Sequence, residues 1–467
     1  MKKRRAQILV LSLLFALCTP APLALAEATK TESAVFFTDD FSWSLQEDGT
    51  ACIVKYTGEE ENLSIPESLD GHSVTAIGKT AACYNLHLTS VTIPDSVVSV
   101  GENAFYGCPN LVSVLIPDSV RTMDANPFGG CSRIKNLRVS SEHPWLEQID
   151  GVLFSKEDRR LVCYPCGLES ENYVIPEGIR TIGDYAFCGC KTIVSVTIPD
   201  SVVGIGDYAF LWCDSLTKVL IPESVKSLGI NPFRECRRLT EIWVSPEHST
   251  LATIGGVLFS KADRQLVSYP CGLEAEDYVI PEGIQIIGEY AFCGCEKLAS
   301  VTIPDSVTSL GSHAFSDTGL TVVMIPESVT TIGDYTFLGC SNLVSVTILG
   351  KVTTISNYMF SGCGNLISVI IPEGVTTIGV LAFNLCENLV SVTIPDGVTG
   401  IGSGAFYRCY NLVSVTIPDS VKSIGENAFS SCSVLNVTVE RNSYAAQYCK
   451  ENGIPYDYPD SNDWLNG

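Results

Sequence analysis

Cysteine is the residue type here that could do most chemistry. The chain has 467 residues and 20 cysteines, and most of these recur at one interval. Cys340, Cys363, Cys386, Cys409 and Cys432 are spaced 23 residues apart, as are Cys190, Cys213 and Cys236. Cys188 with Cys190, and Cys293 with Cys295, form C-G-C pairs, while Cys163 and Cys166 form C-x-x-C. Such spacings suit thiol–disulfide exchange or a zinc site. A related stretch downstream has Ser268 and Cys271 in place of Cys163 and Cys166. A redox or metal site that loses a ligand in its twin is a poor one. The fixed interval favours another role, a small apolar side chain filling one inward corner of a repeated coil as a buried free thiol. Bridges between neighbouring coils, such as Cys386 to Cys409, remain geometrically open at a strand spacing of roughly 4.8 Å.

The other candidates for chemistry are sparse. His72, His87, His143, His248 and His313 are scattered, and none has a second His or Cys at ligand spacing. No G-x-S-x-G, H-E-x-x-H or phosphate-binding loop occurs. Nucleophilic catalysis needs a base and an orienting group beside the nucleophile, and no such set can be assembled. The chain therefore reads as a non-enzyme without a cofactor. Asp95, Asp118, Asp200, Glu223, Asp305, Glu327, Glu373, Asp396 and Asp419 each follow a strand-ending residue. Such a row makes a solvated acidic edge, with Ca²⁺ recruitment as the alternative.

What positions these columns is the repeat L-x-x-V-x-I-P-x-x-V-x-x-I-G-x-x-A-F-x-x-C. Pro372, Pro395 and Pro418 mark it, as do Phe360, Phe383, Phe406 and Phe429, always 23 residues apart. A fixed period of this length is the signature of a solenoid. Within one unit Val392 and Ile394 face one side of a short strand while Ser391 and Thr393 face the other. Pro395 ends the strand because it has no N–H for a ladder bond. Val398 and Ile401 turn inward, Gly402 permits a corner, and Ala405 and Phe406 fill the back in a short helical, 3₁₀ or irregular segment. Stacked coils then place Ile on Ile and Phe on Phe.

These residues resemble the BspA-like leucine-rich repeat proteins, the treponemal class of the repeat, over about residues 41 to 455. The resemblance implies a right-handed leucine-rich-repeat solenoid of short parallel strands, with a concave β-sheet and an irregular or 3₁₀ convex side. It also implies a role in bacterial surface adhesion, with extracellular protein or glycan ligands such as host matrix proteins or neighbouring cells.

Bulk properties agree with a large buried core: 46% of residues are hydrophobic and only 17% charged, against roughly 25% charged in average domains. A net charge of −23 disfavours nucleic acid and anionic membrane as partners. Residues 1–26 read as a signal peptide, with Lys2 to Arg5 basic, Ile8 to Leu17 apolar, and cleavage after Ala26. Leu17 before Cys18 argues against a lipid anchor, and no other apolar run spans a bilayer. A secreted or cell-surface monomer is expected. Residues 27–62 read as a leader and a β-hairpin cap, 63–440 as the solenoid of about sixteen coils, 441–455 as a helical cap starting at Ser443, and 456–467 as a polar tail. Two insertions lengthen the 23-residue step to 36, from Ser140 to Pro176 and from Ser245 to Pro281. Both contain G-V-L-F-S-K, at Gly151 and Gly256, so a block was duplicated with an offset of 105 residues. Each insertion is expected to be a β-hairpin protruding from one edge.

The outward strand face is a Ser/Thr ladder, broken at Asn136/Arg138, Lys218/Leu220, Glu241/Trp243 and Val322/Met324. Residues that keep the period are explained by stacking, so the exceptions carry the binding reading. Lys218, Leu220, Glu241 and Trp243 on adjacent coils make the candidate ligand site, with an aromatic anchor beside charges. The rival account puts Trp243 under the hairpin that follows it. An enzyme acting on surface polymers, or a targeting arm of one, is the alternative function.

Overall fold

A computed structural model describes residues 34–459. The segment expected to be a signal peptide and the end of the tail lie outside the described residues. The chain is a parallel β-solenoid of stacked coils. Sixteen short strands, from Asn62–Ser64 to Asn436–Val439, form one column. They pair in parallel with a register of one repeat, so that Ser391, Val392 and Thr393 face Ser414, Val415 and Thr416. A second column of two-residue strands, such as Thr377–Ile378 beside Gly400–Ile401, forms the opposite wall. Period-two alternation sends Val392, Ile394 and Ile401 into the core and leaves Ser391 and Thr393 exposed.

The back of each coil follows the irregular alternative rather than the helical or 3₁₀ one. The A-F-x-x-C segment is a pair of tight turns, each with one left-handed residue. Tyr335 (φ 60°) and Gly339 (φ 69°) hold these positions in one coil, Leu381 (φ 52°) and Leu385 (φ 59°) in the next but one. Hydrogen bonds to the neighbouring coil support them, as from Phe383 N–H to Ala405 C=O at 2.8 Å. Gly402 serves a different purpose from a corner. A Cβ there would stand 2.5 Å from the carbonyl carbon of Gly379. The Ile-Gly column is thus small because adjacent backbones touch. Behind it the Phe rings stack, with centroids 5.2 Å apart between Phe383 and Phe406 and 5.1 Å between Phe406 and Phe429.

The two insertions do not protrude. Each begins with the expected hairpin, Leu146–Ile149 with Val152–Ser155 and Leu251–Ile254 with Val257–Ser260. A third antiparallel strand, Arg160–Cys163 or Gln265–Ser268, then joins the second column in parallel. Both faces of this meander are apolar and buried. Leu153 and Val162 pack on the core before it, Val152, Phe154 and Leu161 on the core after it. Leu258 and Val267 face backward in the same way, while Val257, Phe259 and Leu266 face forward. The continuous run V-L-F, read as the arm of an exposed hairpin, is the pattern of a strand buried on two sides. The N-terminal meander, Val35–Thr38, Phe41–Leu45 and Ala51–Tyr56, is built alike. There only one face, with Trp43 and Ile53, has a core to cover.

The turn layer skips the insertions. Asn126 Nδ2 donates to Tyr185 C=O at 2.9 Å, and Asn231 Nδ2 to Tyr290 C=O at 2.7 Å, each 59 residues on. The tripeptide Asn-Pro-Phe at 126–128 and 231–233 replaces x-Ala-Phe in just these two coils. At the far end Ser443 caps the helix Tyr444–Asn452, and Gly453 (φ 65°) ends it. Ala445, Ala446 and Cys449 of this helix close the last core. The tail begins as structure: Tyr456–Asp457 pairs in parallel with Val437 and Thr438.

This packing makes a direct forecast. Phe383→Ala should leave a cavity between coils and cost about 3–5 kcal/mol, whereas Ser391→Ala should stay within about 0.5 kcal/mol. Urea unfolding followed by circular dichroism measures both, and similar losses would contradict the stacking described.

Candidate functional site

Most cysteines of the column are free thiols, buried at the inward corner. Their sulfur is also a donor. Cys386 Sγ–H donates to the Phe360 carbonyl and Cys409 Sγ–H to the Phe383 carbonyl, each at 3.1 Å and each to the preceding coil. The thiol therefore fills an apolar corner and gives a second hydrogen bond to a carbonyl that already accepts an N–H of its own turn, as Phe360 C=O does from Cys363 at 3.1 Å. Burial pushes the Cys386 thiol up, and those of Cys188 and Cys293 up to about 12, which keeps them protonated and unreactive. Two members of the column depart from the free-thiol reading. Cys190 is bridged to Cys166 and Cys295 to Cys271, with Cα atoms 4.5 Å apart in both. The cysteine that the duplicated block retains is the one in the bridge, and Cys163, replaced by Ser268, stays free. The C-x-x-C motif is thus no pair at all. Each bridge fastens an insertion to the first regular coil after it.

Three of the histidines, His143, His248 and His313, are buried and built into the fold. His143 Nδ1 accepts the Leu146 N–H at 3.1 Å, and its Nε2 meets the Pro117 carbonyl at 3.0 Å. The ring is therefore neutral with its proton on Nε2, and burial lowers its pKa. His248 accepts the Leu251 N–H in the same way at the second insertion. His313 is sandwiched between Tyr290 and Tyr335, 4.6 and 4.5 Å from their centroids. Nearby, the buried Arg234 lies 4.1 Å from the Tyr290 ring and pairs with Glu235 at 3.1 Å.

The predicted ligand residues do come together. Lys218 stands beside Glu241, and Leu220 beside Trp243, in the register of the strands Lys218–Ile221 and Glu241–Val244. Lys218 Nζ and Glu241 Oε2 are 2.7 Å apart with side chains 69% and 43% exposed. An ion pair so open to water contributes at most about 1 kcal/mol to stability. Leu220 is 54% and Trp243 44% exposed. Trp243 does not lie beneath the following hairpin. It lines a cleft of about 670 Å³ between its own strand and that hairpin, with Ile242, Val244, Ala252, Thr253 and Gly256. The outward face carries more apolar exceptions than the sequence reading used. Val174, Val279 and Ile370 replace the Thr of V-T-I-P and are also exposed. Their signal was present as Y-V-I-P and V-I-I-P. The acidic row after the strands, Asp95 to Asp419, is exposed throughout.

Two tests follow. Peptide mapping without reductant should recover Cys166–Cys190 and Cys271–Cys295 and no Cys386–Cys409 species. Each bridge spans 24 residues, a loop length for which chain entropy implies a loss of roughly 3 kcal/mol on reduction. The second test concerns pH. Burial, then Arg234, lowers His313 from 6.5 to about 3, so this group's stabilisation is lost as pH falls below 6.5. Burial, then Glu235, raises Asp317 from 3.8 to about 6, with Arg234, Glu296 and Arg237 also facing it. Its stabilisation is lost as pH rises toward 6, so the two trends oppose each other. Relative to wild type, Asp317→Asn should gain melting temperature as pH rises from about 4 to 6, and His313→Gln as it falls over that range. Thermal melts in matched buffers read both signs.

Among the described residues no three His, Cys, Asp or Glu are placed to hold a metal ion, and no helix is long and apolar enough to cross a membrane. No curated protein matches the chain in sequence. Among solved structures, a leucine-rich repeat protein from Eubacterium ventriosum is 22% identical with a TM-score of 0.52, over 84% of this chain and 93% of that one. A leucine rich cell surface protein from Faecalibacterium prausnitzii is 28% identical with a TM-score of 0.42, over 91% and 99%. A leucine-rich repeat protein from Bacteroides ovatus is 25% identical with a TM-score of 0.43, over the same shares. The sequence profile of the BspA type leucine rich repeat region matches residues 56–162, 160–275, 269–390 and 376–451, nearly the whole solenoid. The chain belongs to the BspA-type leucine-rich repeat family.

Proposed function

We propose that the protein is exported, held at or released from the cell surface, and adheres to extracellular proteins or glycans through the outward face of its first strand column. The observation that carries this reading is the pairing of Leu220 with Trp243 beside the Lys218–Glu241 ion pair. Apolar side chains on an outward strand face gain nothing from stacking in the core, and removing them from water is favourable only against a partner. Trp beside fixed charges is the composition that dominates binding energy at protein interfaces. The basic, apolar and A-L-A segments of residues 1–26 support export. The solenoid supports a binding role over an enzymatic one, because it offers a long repeated face for a ligand.

Trp243→Ala tests the reading. Surface plasmon resonance against immobilised matrix proteins, glycan arrays and whole-cell adhesion should lose signal at least tenfold, the equivalent of about 1.4 kcal/mol. The melting temperature should not move. Intact binding with a lowered melting temperature would make Trp243 a packing residue and remove the site.

A further inference from the structure

A second cleft, of about 410 Å³, lies where the second insertion meets the column of two-residue strands. Its volume falls in the roughly 300–1,000 Å³ range of ligand sites. Leu228, Gly229, Asn231, Asp263, Gln265 and Glu289 are among the residues that line it. Two carbonyls there lack the donors that a regular coil supplies. In a regular coil the C=O of the Ile in the Ile-Gly pair accepts the Gly N–H of the next coil. Ile182 takes that of Gly206 and Ile205 that of Gly229, both at 2.8 Å. The Gly C=O accepts the Ala N–H three residues on, as Gly288 does from Ala291 at 3.2 Å. After Leu228 the insertion stands where the next coil would be. Three residues after Gly229 comes Pro232, which has no N–H to give. Among the described residues neither carbonyl receives a hydrogen bond. Both residues are partly exposed.

The duplicated block shows what such a pair of carbonyls holds. Met123 and Asp124 are the first-copy equivalents, with Pro127 again three residues after Asp124. There Arg160 supplies the missing donors. Its Nη2 donates to Met123 C=O at 2.9 Å, its Nη1 to Asp124 C=O at 2.5 Å, and its Nε to Asp158 Oδ2 at 2.9 Å. The planar guanidinium suits the task because its donors form a fixed fork. In the second copy Gln265 stands in place of Arg160. Its shorter side chain lies against Gly288 and reaches neither carbonyl. The carboxylates around the site are kept, with Asp263 for Asp158 and Glu289 for Asp184. Ser260 Oγ donates to Asp263 Oδ2 at 2.7 Å and holds it in place. Lys226, a cation in the lining, is engaged elsewhere, by Glu223 C=O at 2.6 Å and Ser249 Oγ at 3.1 Å.

We infer that this cleft is a receptor for a guanidinium group, the arginine side chain of a polypeptide partner, which takes the place that Arg160 fills in the first copy. The guanidinium donates to Leu228 C=O and Gly229 C=O, and Asp263 and Glu289 supply the negative charge beside it. Lysine is the poorer ligand, because an ammonium lacks the planar fork that spans two acceptors. The source is a side chain within a polypeptide rather than free arginine. The α-carboxylate of the free amino acid would meet Asp263 and Glu289 on a chain of net charge −23. The site is separate from the Trp243 face and does not depend on the adhesion reading.

The test titrates the full chain with the end-capped tripeptide Gly-Arg-Gly, with capped Gly-Lys-Gly and with free arginine, read by ligand-observed NMR at low salt. Capped Gly-Arg-Gly should bind saturably, and at least tenfold more tightly than either of the others. Gln265→Arg restores the side chain that fills the first copy. It should weaken binding at least tenfold while its melting temperature holds or rises. Asp263→Asn combined with Glu289→Gln leaves the cleft open and removes its charge, and should also weaken binding. The inference is overturned by no saturable binding to the wild-type chain, by binding that survives either change, or by Gly-Lys-Gly binding as tightly. A Gln265→Arg chain that melts lower would show that the cradle does not fit a guanidinium, and overturns it too. Free arginine binding as tightly as the capped peptide would overturn the polypeptide source.

Discussion

Contact between the backbones of successive coils is the constraint on which everything else depends. Strands pair at about 4.8 Å, and the whole coil has to close to that distance, including its corners. At Gly402 a single added Cβ would stand 2.5 Å from the Gly379 carbonyl carbon. From that approach follow the stacked Phe rings, the thiol that reaches back to the preceding coil, and the left-handed residues that let the turn layer keep pace. The coil's inward residues are apolar because both neighbours cover them. Its outward residues are left free to vary, and variation there is where binding chemistry can be written.

Much of this was legible in one repeat. Val392, Ile394 and Ile401 alternate or step as a short strand, a corner and a second wall must, and the structure places them so. The Ser443 cap and Gly453 stop were equally readable, since each rests on one side chain or one backbone angle. The insertions were harder. V-L-F at 152–154 is consistent with an exposed hairpin arm or a strand buried on both faces, and nothing local decides between them. The decision comes from cores supplied by coils far away in sequence. The Asn-Pro-Phe signal at 126–128 and 231–233 becomes meaningful only once it is known that the turn layer skips an insertion.

Cysteine illustrates the same limit. Period alone assigned Cys190 and Cys386 to one role, and their burial is indeed alike. What separates them is Cys166, brought beside Cys190 by an insertion whose path the period does not describe. For the candidate face, the four residues Lys218, Leu220, Glu241 and Trp243 were found as exceptions to a rule, and register brought them together. The cleft beside them was invisible, because its other wall is a hairpin that the sequence reading took to protrude.

The meanders at 146–163 and 251–268 have a mechanical consequence. Solenoids unravel from their ends, since an end coil has one neighbour where an inner coil has two. When such a chain is pulled on, a front of unravelling would run along a uniform stack once begun. Here the front meets a three-stranded partition tied forward by Cys166–Cys190 or Cys271–Cys295, and the core beyond it is already covered. Extension under load should therefore proceed in discrete steps, each ending at a covalent stop. A solenoid built this way gives length under tension while the coils past each stop keep their shape.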